Sequence, residues 1–271
     1  NHQSYHLVNY SPWPILGSLM TMSLMILTLN FLQTKNHMWA TVNFVLLFTM
    51  TMYWWRDILR EATYEGMHTS LAYNFMKLGM VLFIVSEAMF FVSFFWTFFH
   101  ACLAPTLQLG LQWPPLAISI LDPFQAPLLN SILLISSGVT LTHSHMTMLE
   151  GSMKQAQSSL TVTLIIGALF TMTQAMEYYQ ASFTIADSCY GSIFFTATGF
   201  HGVHVIIGSI FLLFTLIRMN FFQLSLKHHS GFNNAAWYWH FVDVVWLILF
   251  LTIYWWGKNY SLSQLFAMIK S

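Results

Sequence analysis

The sequence predicts an all-α integral membrane protein, a bundle of seven transmembrane helices, and three features of the chain predict it. Only 7% of the 271 residues are charged, against about 25% in soluble domains. Hydrophobic residues make up 56%, which leaves no charged shell around a folded core, so lipid must be the surrounding solvent. The apolar residues gather into seven stretches close to the roughly 20 residues that a spanning helix needs.

The predicted spans are Ile15–Leu32, Met38–Trp55, Gly79–Phe99, Leu128–Met148, Leu160–Tyr179, Ile193–Ile217 and Ala235–Trp256. The fourth is the weakest, because Ser136, Ser137, Thr140, Thr142 and His143 dilute it. The sixth is the longest and suggests a tilted helix. No segment shows the alternation of a membrane β-barrel strand. Pro105, Pro114, Pro115, Pro123 and Pro127 fall in one stretch, which cannot be a continuous helix. Pro12 and Pro14 precede the first span. Trp54, Trp55, Trp113, Trp255 and Trp256 sit near span ends, where aromatic rings favour the headgroup layer. The expectation is one membrane domain over 1–271, with helices 1–2 at about 15–60, helices 3–7 at about 73–256 and a tail at 258–271.

Charge adds orientation. Nine basic and nine acidic residues give no field that would attract nucleic acid. Seven spans put Arg56, Arg60, Lys77, Lys154, Arg218 and Lys227 on one side, against Lys35, Lys258 and Lys270 on the other. The positive-inside rule then places the amino terminus inside and the carboxyl terminus outside. The start, Asn1 to Ser11, lacks the pattern of a cleavable signal or transit peptide, so insertion is expected to depend on the spans themselves. Cys102 and Cys189 make neither a disulfide framework nor a metal motif, and both read as small apolar residues.

Ionisable groups inside spans are costly, so each needs a reason. Glu87 lies mid-span in FIVSEAMFF, where desolvation favours the neutral acid. It reads either as a proton-relay group or as an acid hydrogen-bonded to another helix. His201 and His204 share a helix face by their spacing, and fit interhelical hydrogen bonding better than a metal site, which needs more ligands. His240 and Asp243 repeat that spacing and read as a structural polar pair facing the bundle interior. His143 and His145 point about 200° apart and cannot share an ion. His228 and His229 fall in a loop. The run from Trp54 to Glu61, with Arg56 and Arg60, reads equally as an anionic-headgroup clamp or as a topology anchor.

Five strings carry a resemblance that covers nearly the whole chain: SPWP from Ser11, WWRD from Trp54, LFIVSEAMFF from Leu82, ATGFHGVHVIIGS from Ala197 and AAWYWHFVDVVW from Ala235. In this order they are similar to subunit III of the haem–copper cytochrome c oxidases, mitochondrial type. The resemblance implies a seven-helix bundle whose helices 1–2 and 3–7 are separated by a lipid-filled cleft. It implies a non-redox core subunit of complex IV in the mitochondrial inner membrane, with the amino terminus on the matrix side and the carboxyl terminus on the intermembrane-space side. Its partners would be subunit I principally, then subunit II, small accessory subunits and phospholipids. Haem and copper would belong to the partner subunits, with none on this chain. The role implied is stabilisation of subunit I, phospholipid binding and support of proton uptake. Trp55, Glu61, His68 and Arg218 match the family's lipid-contacting positions, and Glu87 matches its buried carboxyl near the proton-uptake region. Asn233 departs from the usual glutamate, THSH at Thr142 replaces a tryptophan-containing string, and the tail runs beyond the usual end near Gly257.

Two other classes fit parts of the pattern. A polytopic transporter could have seven spans and a buried Glu87, but no inverted repeat is visible. A small haem-binding electron carrier would need His201, His204 and His240 as ligands.

Overall fold

The computed structural model describes residues 5–107, 110–115, 118–225 and 229–257. The expected tail at 258–271, and with it Lys258 and Lys270, lies outside the described residues, as do Lys227 and His228. Seven α-helices follow one another: α1 (Trp13–Thr34), α2 (Met38–Thr63), α3 (Ser70–Leu103), α4 (Ala126–Leu149), α5 (Met153–Gln180), α6 (Cys189–Asn220) and α7 (Ser230–Leu249). A π-helical segment, Phe250–Trp256, continues α7. Each predicted span lies within a helix, or within α7 and its continuation, and the helices reach further into the polar flanks. Hydropathy sees only the apolar middle, whereas backbone hydrogen bonding continues into the flanks. No strand occurs among the described residues.

Five helices are long and apolar enough to cross a membrane by length and composition: α1, α3, α5, α6 and α7 with its continuation. The other two fall short for visible reasons. The hydroxyls and imidazoles of α4 were expected to weaken it. In α2 the dilution comes from Asn43, the threonines and the cluster Tyr53, Trp54 and Trp55. Proline marks where helices begin, since a ring near the first position loses no intrahelical bond. Pro14 does this in α1 and Pro127 in α4. Ser188 caps α6, its hydroxyl accepting from the Gly191 N–H at 3.2 Å.

The chain divides into two compact units, Asn1–Met76 and Lys77–Ser271. In the first, α1 and α2 form a hairpin with almost no core: α1 buries no residue and α2 only Met50. Two polar contacts hold the pair. Asn43 donates to the Ser23 hydroxyl, and the Trp13 indole donates to Asp57 at 2.9 Å.

The second unit has a dense core, and α7 is its centre. Trp239 and Trp246 are fully buried. Their indole N–H groups donate to Ser137 and Ser131 of α4 at 2.9 and 3.0 Å. The Trp239 ring also lies against glycine on two further helices. A Cβ at Gly167 of α5 would come within 2.8 Å of the ring, and one at Gly208 of α6 within 3.0 Å. One indole therefore packs against α4, α5 and α6 together, and only hydrogen side chains leave room for it. Trp113, expected in the headgroup layer, is instead fully buried. Its ring meets Phe98 and Tyr190 edge-on, both at 5.8 Å, and pins the proline-rich connection between α3 and α4 to the core. Cys102 is buried as expected; Cys189, at the start of α6, is exposed, and both are free thiols.

Gly167→Val is expected to drive its side chain into the Trp239 ring and destabilise the bundle by about 1–3 kcal/mol, as overpacking does. The thermal inactivation midpoint of the purified assembly measures it; a midpoint equal to wild type would show that the ring can move aside.

Candidate functional site

The mid-span acid has a partner on another helix. Glu87 of α3 places Oε2 3.0 Å from Nε2 of His204 on α6. Nδ1 of His204 lies 2.7 Å from the Phe200 carbonyl. A carbonyl can only accept, so Nδ1 carries a proton. The second proton then lies between Nε2 and the carboxyl group, giving either a neutral acid bonded to a neutral ring or a carboxylate bonded to an imidazolium. Both states satisfy the same contact. Phe91 meets the His204 ring edge-on at 5.0 Å, and Tyr238 stacks over it at 6.3 Å. Aromatic rings thus flank the His204 side of the contact, while Glu87 stays partly exposed.

The other histidines go separate ways. His201 turns to α7, with Nε2 3.2 Å from the Val242 carbonyl, and its buried Nδ1 has no partner. Its ring packs against Phe170 at 5.7 Å and Trp246 at 5.1 Å. His240 and Asp243 approach each other to 3.8 Å along α7. His201, His204 and His240 thus serve three different contacts, and nothing gathers them around a ligand. Among the described residues no group of three or more His, Cys, Asp or Glu side chains is placed to hold a metal ion.

The positions matching lipid contacts fall in both units. In the first unit Trp55 is half exposed on α2. Glu61 lies 3.5 Å from Nε2 of His6, whose ring is 5.2 Å from that of His68. Arg56 is already engaged: it binds Asp57 at 3.0 Å and lies over the Tyr53 ring at 5.1 Å. That pairing favours an anchoring role for Arg56 over direct headgroup binding. In the second unit Arg218 ends α6, and its guanidinium crosses the start of α7, 2.6 Å from where a Cβ on Gly231 would stand. Its Nε is buried without a hydrogen-bond partner. α7 has no acidic residue in its first turn and no side-chain cap. A cation therefore sits at the positive end of a helix with no counter-charge described beside it, an arrangement that calls for an anion.

One buried group escaped the sequence reading. Glu177 near the end of α5 is almost completely buried. It accepts a 2.6 Å hydrogen bond from Tyr254 of the π-helical segment. One turn earlier, Gln174 accepts from Asn130 of α4 at 3.1 Å. Glu177 lies in EYYQ, within the last turn of the fifth predicted span. The available signal was the helical spacing of Gln174 and Glu177, which puts two polar groups on one face.

The comparisons with known proteins now decide the family. The family model described as cytochrome c oxidase subunit III matches residues 2–258. The chain belongs to that family. It is 54% identical over 257 residues to "Cytochrome c oxidase subunit 3" of Heterololigo bleekeri, covering 94% of this chain and 98% of that protein. The protein of the same name from Struthio camelus is 52% identical over 259 residues, covering 94% and 98%. That from Anopheles gambiae is 51% identical over 262 residues, covering 95% and 98%. As a subunit III chain this protein is part of an oxidase complex, and the transporter reading has no support.

Removing one partner of the Glu87–His204 contact leaves the other buried and unsatisfied. Glu87→Leu is expected to destabilise the complex by about 1–3 kcal/mol. Glu87→Gln, whose amide can still donate to Nε2, is expected to stay near wild type. Thermal denaturation of the purified complex compares them, and equal losses in both variants would mean that the charge, not the hydrogen bond, holds the contact.

Proposed function

We propose that this chain is the non-redox core subunit of mitochondrial cytochrome c oxidase that stabilises subunit I, holds phospholipid against it and supports its proton uptake. Subunit I is the principal partner in this reading, with subunit II and small accessory subunits beside it, and haem and copper belong to those partners. The chain crosses the inner membrane seven times. Its amino terminus faces the matrix and its carboxyl terminus the intermembrane space. The basic residues support this orientation: of those in the described segments, Arg56, Arg60, Lys77, Lys154 and Arg218 fall on one side and Lys35 on the other. The two helices of lower hydropathy cross as members of the bundle, α4 shielded by its serines bonding to α7.

The observation that carries the lipid reading is Arg218. Its guanidinium meets the uncapped start of α7 with Nε unpaired, and a phospholipid phosphate supplies the missing charge and acceptors together. Trp55, Glu61 and His68 are assigned to lipid contact on the family resemblance, as is the cleft between helices 1–2 and 3–7. Glu87 belongs to the proton-uptake side of the proposal, since its contact with His204 tolerates either protonation arrangement without rearrangement.

Arg218→Ala is expected to release phospholipid and to quicken inactivation of the complex during turnover. Lipid phosphorus per haem, read alongside the decay of oxygen consumption, tests it; unchanged lipid content in that variant would count against the clamp. The accessory role is tested by splitting this chain from the purified complex. All haem and copper absorption should remain with the rest of the assembly, and haem retained on the isolated chain would overturn the reading.

A further inference from the structure

We propose that the π-helical end of α7 is a two-position device, held in its present register by the hydrogen bond between Tyr254 and Glu177 and reverting to an α-helix without it. Burial along the helix shows the shift. Through α7 buried residues come in pairs: Ala235 with Ala236, Tyr238 with Trp239, Val242 with Asp243 and Val245 with Trp246. The pairs recur every seven residues, as the core face of an α-helix does. Continued, that spacing turns Thr252 with Ile253 inward next, and Trp256 with Gly257 after them. The structure instead buries Ile253 with Tyr254, leaves Thr252 half-buried and exposes Trp256. The inward face has moved on by one residue.

A π turn takes up that residue. Its backbone bonds span five residues instead of four, and the Gly257 N–H accordingly reaches the Thr252 carbonyl. π turns are rare beside α turns, so this one needs something to hold it. Apolar burial does not choose between the registers, since each turns one large aromatic ring inward, Tyr254 in the π register and Trp256 in the α register. The polar groups do choose. Glu177 of α5 is almost completely buried, with Oε1 accepting from the Tyr254 hydroxyl at 2.6 Å and Oε2 unpaired. Turning Tyr254 away would strip the carboxyl group of this donor, in surroundings where an unmet polar group is costly. Thr252 has no such stake. Its hydroxyl donates to the Ile248 carbonyl of its own helix at 2.8 Å, a bond available in either register. Tyr190 of α6 adds a longer contact, its hydroxyl donating to the Ile253 carbonyl at 3.5 Å.

The register reaches beyond α5. Trp256 meets Phe99 of α3 edge-on at 5.2 Å, and a Cβ on Gly257 would stand 3.8 Å from the Tyr190 ring. One hydroxyl-to-carboxyl contact thus decides which residues this end of α7 presents to α3, α5 and α6. Turning Trp256 inward takes it off Phe99, so release at α5 is felt at α3.

The test uses the whole purified complex, with electron cryomicroscopy of residues 249–257 in wild type, Tyr254→Phe, Glu177→Leu and Glu177→Gln. Tyr254→Phe keeps the ring and removes only the hydroxyl. Glu177→Leu removes the acceptor at similar size, and Glu177→Gln keeps a carbonyl oxygen to accept. Tyr254→Phe and Glu177→Leu are expected to show α-helical bonding through Gly257, with Thr252 and Trp256 turned inward and the Phe99–Trp256 contact broken. Glu177→Gln is expected to keep the π turn. The two disrupting variants cut the same bond from opposite sides, so failure of one to assemble leaves the other decisive. A π turn persisting in Tyr254→Phe or in Glu177→Leu would overturn the proposal, and so would its loss in Glu177→Gln.

Discussion

Everything in the second unit is arranged around the burial of one indole ring. Trp239 has its N–H bonded to Ser137 of α4 and its faces against the places where α5 and α6 carry glycine. In lipid there is no hydrophobic drive to bring helices together, because acyl chains are as apolar as leucine. Close packing and interhelical hydrogen bonds must do it, and a large flat ring with one donor provides both. Trp246, seven residues on, repeats the device through Ser131. Two ring-to-hydroxyl contacts on one face fix the register of α7 against α4, and that register places Asn233 and His240 beside Thr142 and His145, and Asp243 against Gly138.

The same constraint explains the polar side chains inside the bundle. Single hydrogen bonds between membrane helices contribute only about 0.6 kcal/mol on average, but a polar group left unpaired in hydrocarbon costs several times that. Glu87 with His204, Glu177 with Tyr254 and Asn130 with Gln174 are each joined across helices. Their value lies in excluding other arrangements as much as in stabilising this one.

The first unit works differently. α1 and α2 bury one residue between them and rely on Ser23 with Asn43 and on Trp13 with Asp57. A helical hairpin with so little core of its own depends on what surrounds it. Its polar end, with His6, Glu61 and His68 drawn together, is built by bringing an N-terminal imidazole to residues more than fifty positions away.

The sequence alone determined the seven helices, because a hydrocarbon layer demands long apolar runs that satisfy their own backbone, and such runs are visible in one dimension. It also singled out Glu87, His201, His204, His240 and Asp243, since an ionisable group in an apolar run stands out whatever it touches. Five strings in order, the last two of them long, made the family legible as well. Only the tertiary structure decided the partners. That Glu87 meets His204 while His201 turns to Val242 depends on the rotation of α6 between α3 and α7, which spacing along one helix cannot give. Trp113 looked interfacial beside its prolines and is buried, because the connection folds back over Phe98 and Tyr190. Glu177 drew no notice inside the fifth predicted span and is buried against a partner, because the π-helical segment after α7 brings Tyr254 over it. A span's ends are set in sequence by polarity, but burial at those ends is set by what packs across them.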